Sequence, residues 1–391
     1  MRRCWQVRGW LHSLNLKRVQ AAIWPSVPTN EVGVKGLRRV QRMLELWCCP
    51  CRVSSEGQNG SMERPIDFSR DRDMLCASCG HRFRVSLGWI DSWEQGKEVC
   101  PGCSLTCEHE DAPKVAVDPD DVALDRDLVS SLFWYHSSTH QDWPRVDFDP
   151  AADLDSATRE RQRKMLSERR LSSWAARQRA KALHVGSYEA AIHNMLRRVA
   201  DQGDRHNQFH LFRVRLKPSV IVREDWLIDP TNFVGDVELD DVRPPGIDVA
   251  RYLNRHEDPG SLSLALGRDS IESVQQITVP LPEEGTDSWI KEVTQELKSA
   301  SPVVPDSTKP GIWAKLERRV SPRAELGHKI GASLAAHLPI NLRYGFGRAA
   351  AFEEGDDPAQ WARRTLGLAH LVLDPQRALA ALNEALIRRL Q

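Results

Sequence analysis

Ser130-Ser-Leu-Phe-Trp-Tyr-His136-Ser-Ser-Thr139 is the stretch whose reading decides the fold. Four large apolar residues in succession, Leu132 to Tyr135, read as a buried strand, and the polar atoms gather where that strand ends. Downstream, Ala182-Leu-His-Val-Gly186-Ser187-Tyr188-Glu-Ala-Ala191 repeats the device: a short apolar strand, a Gly-Ser turn, then a helix carrying Ala190, Ala191, Met195 and Leu196. Phe209-His-Leu-Phe-Arg-Val-Arg-Leu216 alternates apolar and polar residues, the pattern of a half-buried strand. Further strands are expected at 219–222, 261–266 and 274–279. With few helices between them, residues 125–285 read as α+β with a mainly antiparallel sheet.

Upstream lies Cys76-Ala-Ser-Cys79-Gly-His-Arg-Phe, followed after 20 intervening residues by Cys100-Pro-Gly-Cys103. Each C-x-x-C turn aims two thiolates at one point, and two such turns complete a tetrahedral S4 site, so the spacing suits a structural zinc ribbon with no open coordination position. Phe83, Val85, Leu87 and Trp89 alternate as one short strand would. Cys107 and His109 read as a surface pair rather than further ligands, and Cys48, Cys49 and Cys51 have no matching second pair.

The 391 residues include 54 basic and 54 acidic ones, so net charge makes no case for a nucleic-acid or membrane partner and any such case must be local. With 41% hydrophobic and 28% charged residues, disorder and a disulfide miniprotein are excluded for the chain as a whole. Nine cysteines, odd and dilute, favour a metal site among reduced thiols, and with neither a signal peptide nor a long apolar run in evidence the expected place is the cytoplasm. Residues 1–61 carry ten bases against three acids without a sustained period and read as a weakly structured leader, added ahead of a working chain that opens at Met62. Residues 105–157, with thirteen acids against three bases, read as a solvated linker, and 159–181, with nine bases against two acids, as a basic helix with either a solvated or a phosphate-facing surface. The expected divisions are a leader at 1–61, a ribbon at 62–112, a sheet domain at 113–285 and a helical region at 286–391.

At Tyr135-His136-Ser137-Ser138 and Gly186-Ser187-Tyr188-Glu189-Ala190-Ala191, followed by a strand like 211–216, the sequence resembles the ADP-ribosyltransferase fold. The resemblance covers roughly 160 residues, and its motifs are short. It implies NAD as substrate, with His136 on the nicotinamide-side ribose, the backbone beside Ser137 or Ser138 on the carboxamide, Ser187 in the following turn, and Tyr188 stacked on the nicotinamide. Cleavage passes through an oxocarbenium-like state that a carboxylate stabilises. Glu257 is the leading candidate for that acid, ahead of Asp258 and Glu272, although the family usually carries it at the start of the late strand, where Ser261 and Ser263 stand here.

Beyond residue 285, Trp289, Ile290, Val293 and Leu297 recur at helical spacing behind Asp287 or Ser288 as cap, a helical run covers 361–373, and Leu379, Leu382, Leu386 and Leu390 form one stripe. Such stripes pack a helical subdomain or, in the alternative, bind a partner. Two functional readings follow: an NAD-dependent ADP-ribosyltransferase acting on a protein or nucleic-acid acceptor with the ribbon for targeting, or a non-catalytic zinc-ribbon adaptor that binds nucleic acid or protein.

Overall fold

The computed structural model describes residues 62–145, 147–150, 160, 168–201, 204, 207–228, 237–283, 287–300 and 321–390. The expected leader at 1–61 therefore lies outside the described residues, as does most of 151–167. All described residues fall in one compact unit, Pro50–Gln391.

A small lobe opens it. Strands β1 (Arg72–Leu75), β2 (Arg82–Val85) and β3 (Lys114–Val115) form an antiparallel sheet in the order β2-β1-β3. The alternation from Phe83 to Trp89 predicts a single strand, but the chain turns into helix α1 (Leu87–Glu94) after Val85. Ser86 is the cause, because its hydroxyl accepts the Trp89 N–H at 3.3 Å and caps that helix. Met74, Val85, Leu87, Ile90, Trp93 and Ala112 make the lobe's core.

Two four-stranded sheets follow. The first runs β11-β10-β6-β4 and comprises β4 (Trp134–Ser138), β6 (Phe209–Leu216), β10 (Ile271–Val279) and β11 (Arg388–Arg389). The second runs β5-β9-β8-β7 and comprises β5 (Leu183–Val185), β7 (Val222–Ile228), β8 (Val249–Leu253) and β9 (Leu262–Leu266). Every pairing is antiparallel except β7 with β8, so the α+β class with mainly antiparallel sheets holds. The sheets meet where Tyr135 and Gly186 exchange backbone hydrogen bonds of 2.8 and 2.9 Å.

The alternating strand 209–216 is buried on both faces rather than one. On one side Phe212, Val214 and Leu216 pack with Val185, Val249, Leu253, Leu262 and Leu264 of the second sheet. On the other, Phe209 and Leu211 meet a layer of helices. Ala123, Val129 and Leu132 are wholly buried in the inter-sheet core, so the acidic stretch expected to be a solvated linker instead enters the domain. There Asp121 accepts the Leu262 N–H at 2.8 Å, which gives one of its acids a structural duty.

Helix α2 (Glu168–Ala180) buries Leu171 and Ala175 and leaves Arg169, Arg170, Arg177 and Arg179 exposed, a solvated basic face. Helix α3 (Tyr188–Asp201) lays Ala191, Ile192, Met195, Leu196 and Val199 on the first sheet, and a short turn, α4 (Leu239–Val242), closes the second. The carboxy-terminal region is helical: α5 (Ser288–Ser299), α6 (Pro322–Ala335), α7 (Ile340–Ala349), α8 (Pro358–Leu373) and α9 (Pro375–Glu384). Asp287 caps α5 as expected, and Ser321 and Asp357 cap α6 and α8 with proline at the first turn. The stripe of four leucines does not survive as one face. Helix α9 ends at Glu384, Leu386 is 91% exposed, and the chain turns back so that β11 pairs with β10. Among the described residues no helix is long and apolar enough to cross a membrane.

Candidate functional site

Cys76, Cys79, Cys100 and Cys103 bring their sulfurs within 4.8 Å of one another, with Cys76–Cys103 at 3.7 Å and Cys79–Cys100 at 3.8 Å. Four sulfurs on a tetrahedral ion with bonds of about 2.3 Å stand roughly 3.8 Å apart, so this set is spaced to hold a metal. Two tight turns build it: Cys76 N–H bonds His81 O at 3.0 Å and Cys100 N–H bonds Leu105 O at 2.8 Å. Gly80 takes φ +70° to close the first turn. A Cβ on Gly102 would lie 3.0 Å from Cys79 Sγ and 2.8 Å from His81 Cβ, so the second turn approaches the ligands too closely for a side chain. Among the described residues this is the only such ligand cluster, and Cys107 and His109 stay outside it.

The lobe is joined to the sheets by buried charge. Flanking and opening β1, Arg70 and Arg72 reach Asp258 Oδ1 at 2.6 and 3.2 Å. Asp258 Oδ2 accepts the Ser187 hydroxyl at 2.7 Å, and Glu189 lies 3.8 Å from Arg70 while accepting the Asp67 N–H at 2.7 Å. Asp258, Arg72 and Glu189 are 1%, 3% and 4% exposed. Burial opposes the charge on Asp258, but Arg70 and Arg72 outweigh it and hold the carboxyl below its usual range. Burial and the Asp258 charge push Glu189 up. The sequence signal for this cluster is Glu189 itself, an acid amid the buried positions Tyr188, Ala190, Ala191 and Ile192 of α3.

The two sequence motifs come together. His136 Nδ1–H donates to His184 O on β5 at 2.8 Å, one step from the Tyr135–Gly186 bridge. Gly186 is required there, since a Cβ would stand 2.8 Å from Ser263 Oγ and 3.0 Å from Ala190 Cβ. Ser187 then caps α3 by accepting the Ala190 N–H at 3.0 Å. His136 is half-buried and stacks on Trp143 at 4.1 Å between centroids. Burial chiefly pushes it down to about 3, so the ring is neutral throughout the physiological range. Successive strand residues point to opposite faces, so Ser138 shares the His136 side whereas Ser137 faces the helices, its hydroxyl buried with no partner among the described residues.

Two expected site residues lie elsewhere in character. Tyr188 is 2% exposed, sits edge-on to Phe68 and Tyr135, and donates its hydroxyl to Leu371 O at 3.0 Å, so it packs the core instead of offering a ring face to a ligand. Tyr188→Phe is therefore expected to cost about 1 kcal/mol of stability in denaturant titration, through the abandoned Leu371 carbonyl, and to leave ligand affinities unchanged. Glu257 pairs with Arg197 at 2.5 Å, while its backbone carbonyl accepts from His193 Nδ1 at 2.7 Å. The acid that reaches the Ser187 turn is its neighbour Asp258. Glu272 stands 3.6 Å from Arg215. Compared with protein-family models, with curated proteins and with solved structures, the chain matches none of them.

Proposed function

We propose that the chain is an NAD-dependent ADP-ribosyltransferase acting on a protein or nucleic-acid acceptor, with zinc as the structural ion of the four-cysteine lobe. One observation carries the reading: the two motifs of the resemblance, Tyr135-His136-Ser137-Ser138 and Gly186-Ser187, lie on strands that hydrogen-bond to each other at the junction of the two sheets. In this reading neutral His136 binds the nicotinamide riboside end of NAD as a hydrogen-bond partner, and Glu257 supplies the acid once parted from Arg197. The lobe serves the site by fixing Asp258 and, through it, Ser187.

Protein loaded with zinc and given labelled NAD is expected to release nicotinamide and transfer label to an acceptor in a lysate. His136→Ala is expected to lower NAD affinity about tenfold or more, the worth of one good hydrogen bond with its packing, and Glu257→Gln to abolish transfer while NAD still binds. Absence of NAD binding by wild-type protein of native melting temperature would sink the proposal. That outcome would favour the adaptor reading, which the exposed arginines of α2 support as an electrostatic surface.

A further inference from the structure

Helix α2 leads directly into β5, the strand before the Gly186-Ser187 turn. It ends at Ala180, and His184, whose carbonyl takes the His136 N–H, follows within at most about 14 Å of extended chain. In its last turn Arg179 pairs with Asp149 at 3.5 Å, on the segment that follows Trp143, the residue stacked on His136. Chain on one side and an ion pair on the other therefore hold the end of α2 beside the junction of the two motifs.

The free side of α2 is built from two kinds of residue. Leu171 and Ala175 bury one flank, and on the opposite flank Arg169, Arg170 and Arg177 fall within a single arc of about 100°. The residues among them on that arc are Ser173, Ala176 and Ala180, all exposed and all small. Ser173 turns its hydroxyl back to the Arg169 carbonyl at 2.9 Å, which keeps the face low between the arginines. Of the four exposed arginines of α2, only Arg179 has a carboxylate partner among the described residues. Arg169 to Arg177 covers about 12 Å of helix axis, a length over which a nucleic-acid duplex presents about seven phosphate charges.

We propose that this face of α2 seats the phosphate backbone of a nucleic-acid duplex, with Arg169, Arg170 and Arg177 as the contacts. Each guanidinium offers a planar fork that fits a phosphate through two N–H donors. A protein partner would need an aromatic or aliphatic anchor at the centre of the patch, and the apolar residues Leu171, Trp174 and Ala175 all lie toward the packed flank. A single strand would need exposed rings on which its bases stack, and the arc carries none. What the face offers is charge, low relief and no base-reading side chain, so the expected binding is independent of sequence. One clause rests on the transferase reading: where that holds, the acceptor is the duplex brought to the site by α2.

Fluorescence anisotropy on the full-length zinc-loaded protein tests it, with a labelled duplex of about 20 base pairs, a single strand of the same length and poly-glutamate as probes, and no NAD present. The duplex is expected to bind tightest, with an affinity that falls steeply between about 0.05 and 0.2 M salt. The combined variant Arg169→Gln, Arg170→Gln, Arg177→Gln, altered only at exposed positions, is expected to keep the native melting temperature, to bind the duplex about tenfold or more weakly, and to lower the slope of log affinity against log salt by about two to three. Unchanged affinity and slope in the variant would overturn the assignment to α2. Poly-glutamate bound as tightly as the duplex would overturn it in favour of an acidic protein, and tighter binding of the single strand would overturn the duplex. Because none of these measurements uses NAD, they stand or fall apart from the NAD reading. With labelled NAD added, label is expected in the duplex, and label in protein alone would overturn the acceptor clause while the NAD reading stood.

Discussion

Removing the metal is expected to loosen residues 254–261 and the Ser187 turn as well as the small lobe. The four-cysteine lobe has a core of only six buried residues, too little to hold three short strands and one helix without a staple. Structural zinc supplies apparent binding free energies of about 10–16 kcal/mol in zinc-finger peptides, so its loss should melt the lobe. The consequence travels because β1 runs from the four-cysteine cluster to the buried charges: Cys76 follows the strand and Arg72 begins it. Once β1 unravels, Arg70 and Arg72 leave Asp258, which then stands buried with Ser187 as its remaining partner. A buried carboxylate stripped of its counterions must take up a proton or move into water. Hydrogen exchange after chelation, or in Cys100→Ser, should therefore quicken at 72–115, at 254–261 and at the first turn of α3, with a melting temperature several degrees lower. Exchange confined to 72–115 would make the lobe an independent module and remove its link to the histidine strand.

What could be read from the sequence follows the range over which each signal acts. The cluster of four cysteines was legible because two C-x-x-C turns are local devices whose spacing brings their sulfurs together, and the strand at 134–138 and the helix after Ser187 were legible because apolar runs and caps are local too. The ending of β2 at Val85 turned on a single capping serine that a period-2 pattern overrides on paper but not in the chain. Acid content made 105–157 look solvated, yet Ala123 and Val129 are buried there, and Asp121 meets its partner 141 residues away in Leu262. Such partners belong to topology. So do the neighbours of Glu257 and Asp258: adjacent in sequence, one turns to Arg197 and the other to Ser187 and the lobe's arginines. Tyr188 had the right motif position for a ligand-stacking ring, but the phase of α3 points it into the core.

The largest effect of a single substitution is expected at Asp258. Asp258→Asn keeps the shape and the contact with Ser187 but leaves Arg72, 3% exposed, with no full negative charge in direct contact, and Arg70 leaning on Glu189 and Asp118 at 3.8 and 4.0 Å. Breaking a buried pair from one side costs about 3–5 kcal/mol, because the remaining charge stays desolvated. Pairing Asp258→Asn with Arg72→Met should return part of that loss, since the orphaned guanidinium is gone as well. The pH dependence separates charge from shape. Asp258 is held below its usual range, so it contributes stability above the unfolded carboxyl value, near 3.8, and that contribution disappears as the pH falls through the lower folded value. Glu189 is pushed up by burial and by the Asp258 charge, so its contribution has the opposite sign: present below about 4.5 and lost as the pH rises through its raised folded value. In Asp258→Asn the first dependence vanishes and the second shrinks, because the repelling neighbour has gone while Arg70 remains. Denaturant melts from pH 3 to 8 should show the variant's deficit widest between about pH 4 and 5, narrowing below that as wild-type Asp258 takes up its proton and narrowing again toward neutrality, where wild type loses more of the Glu189 contribution than the variant does. A deficit of constant size across that range would mean that the asparagine disturbs packing and that the ion cluster contributes nothing by its charge.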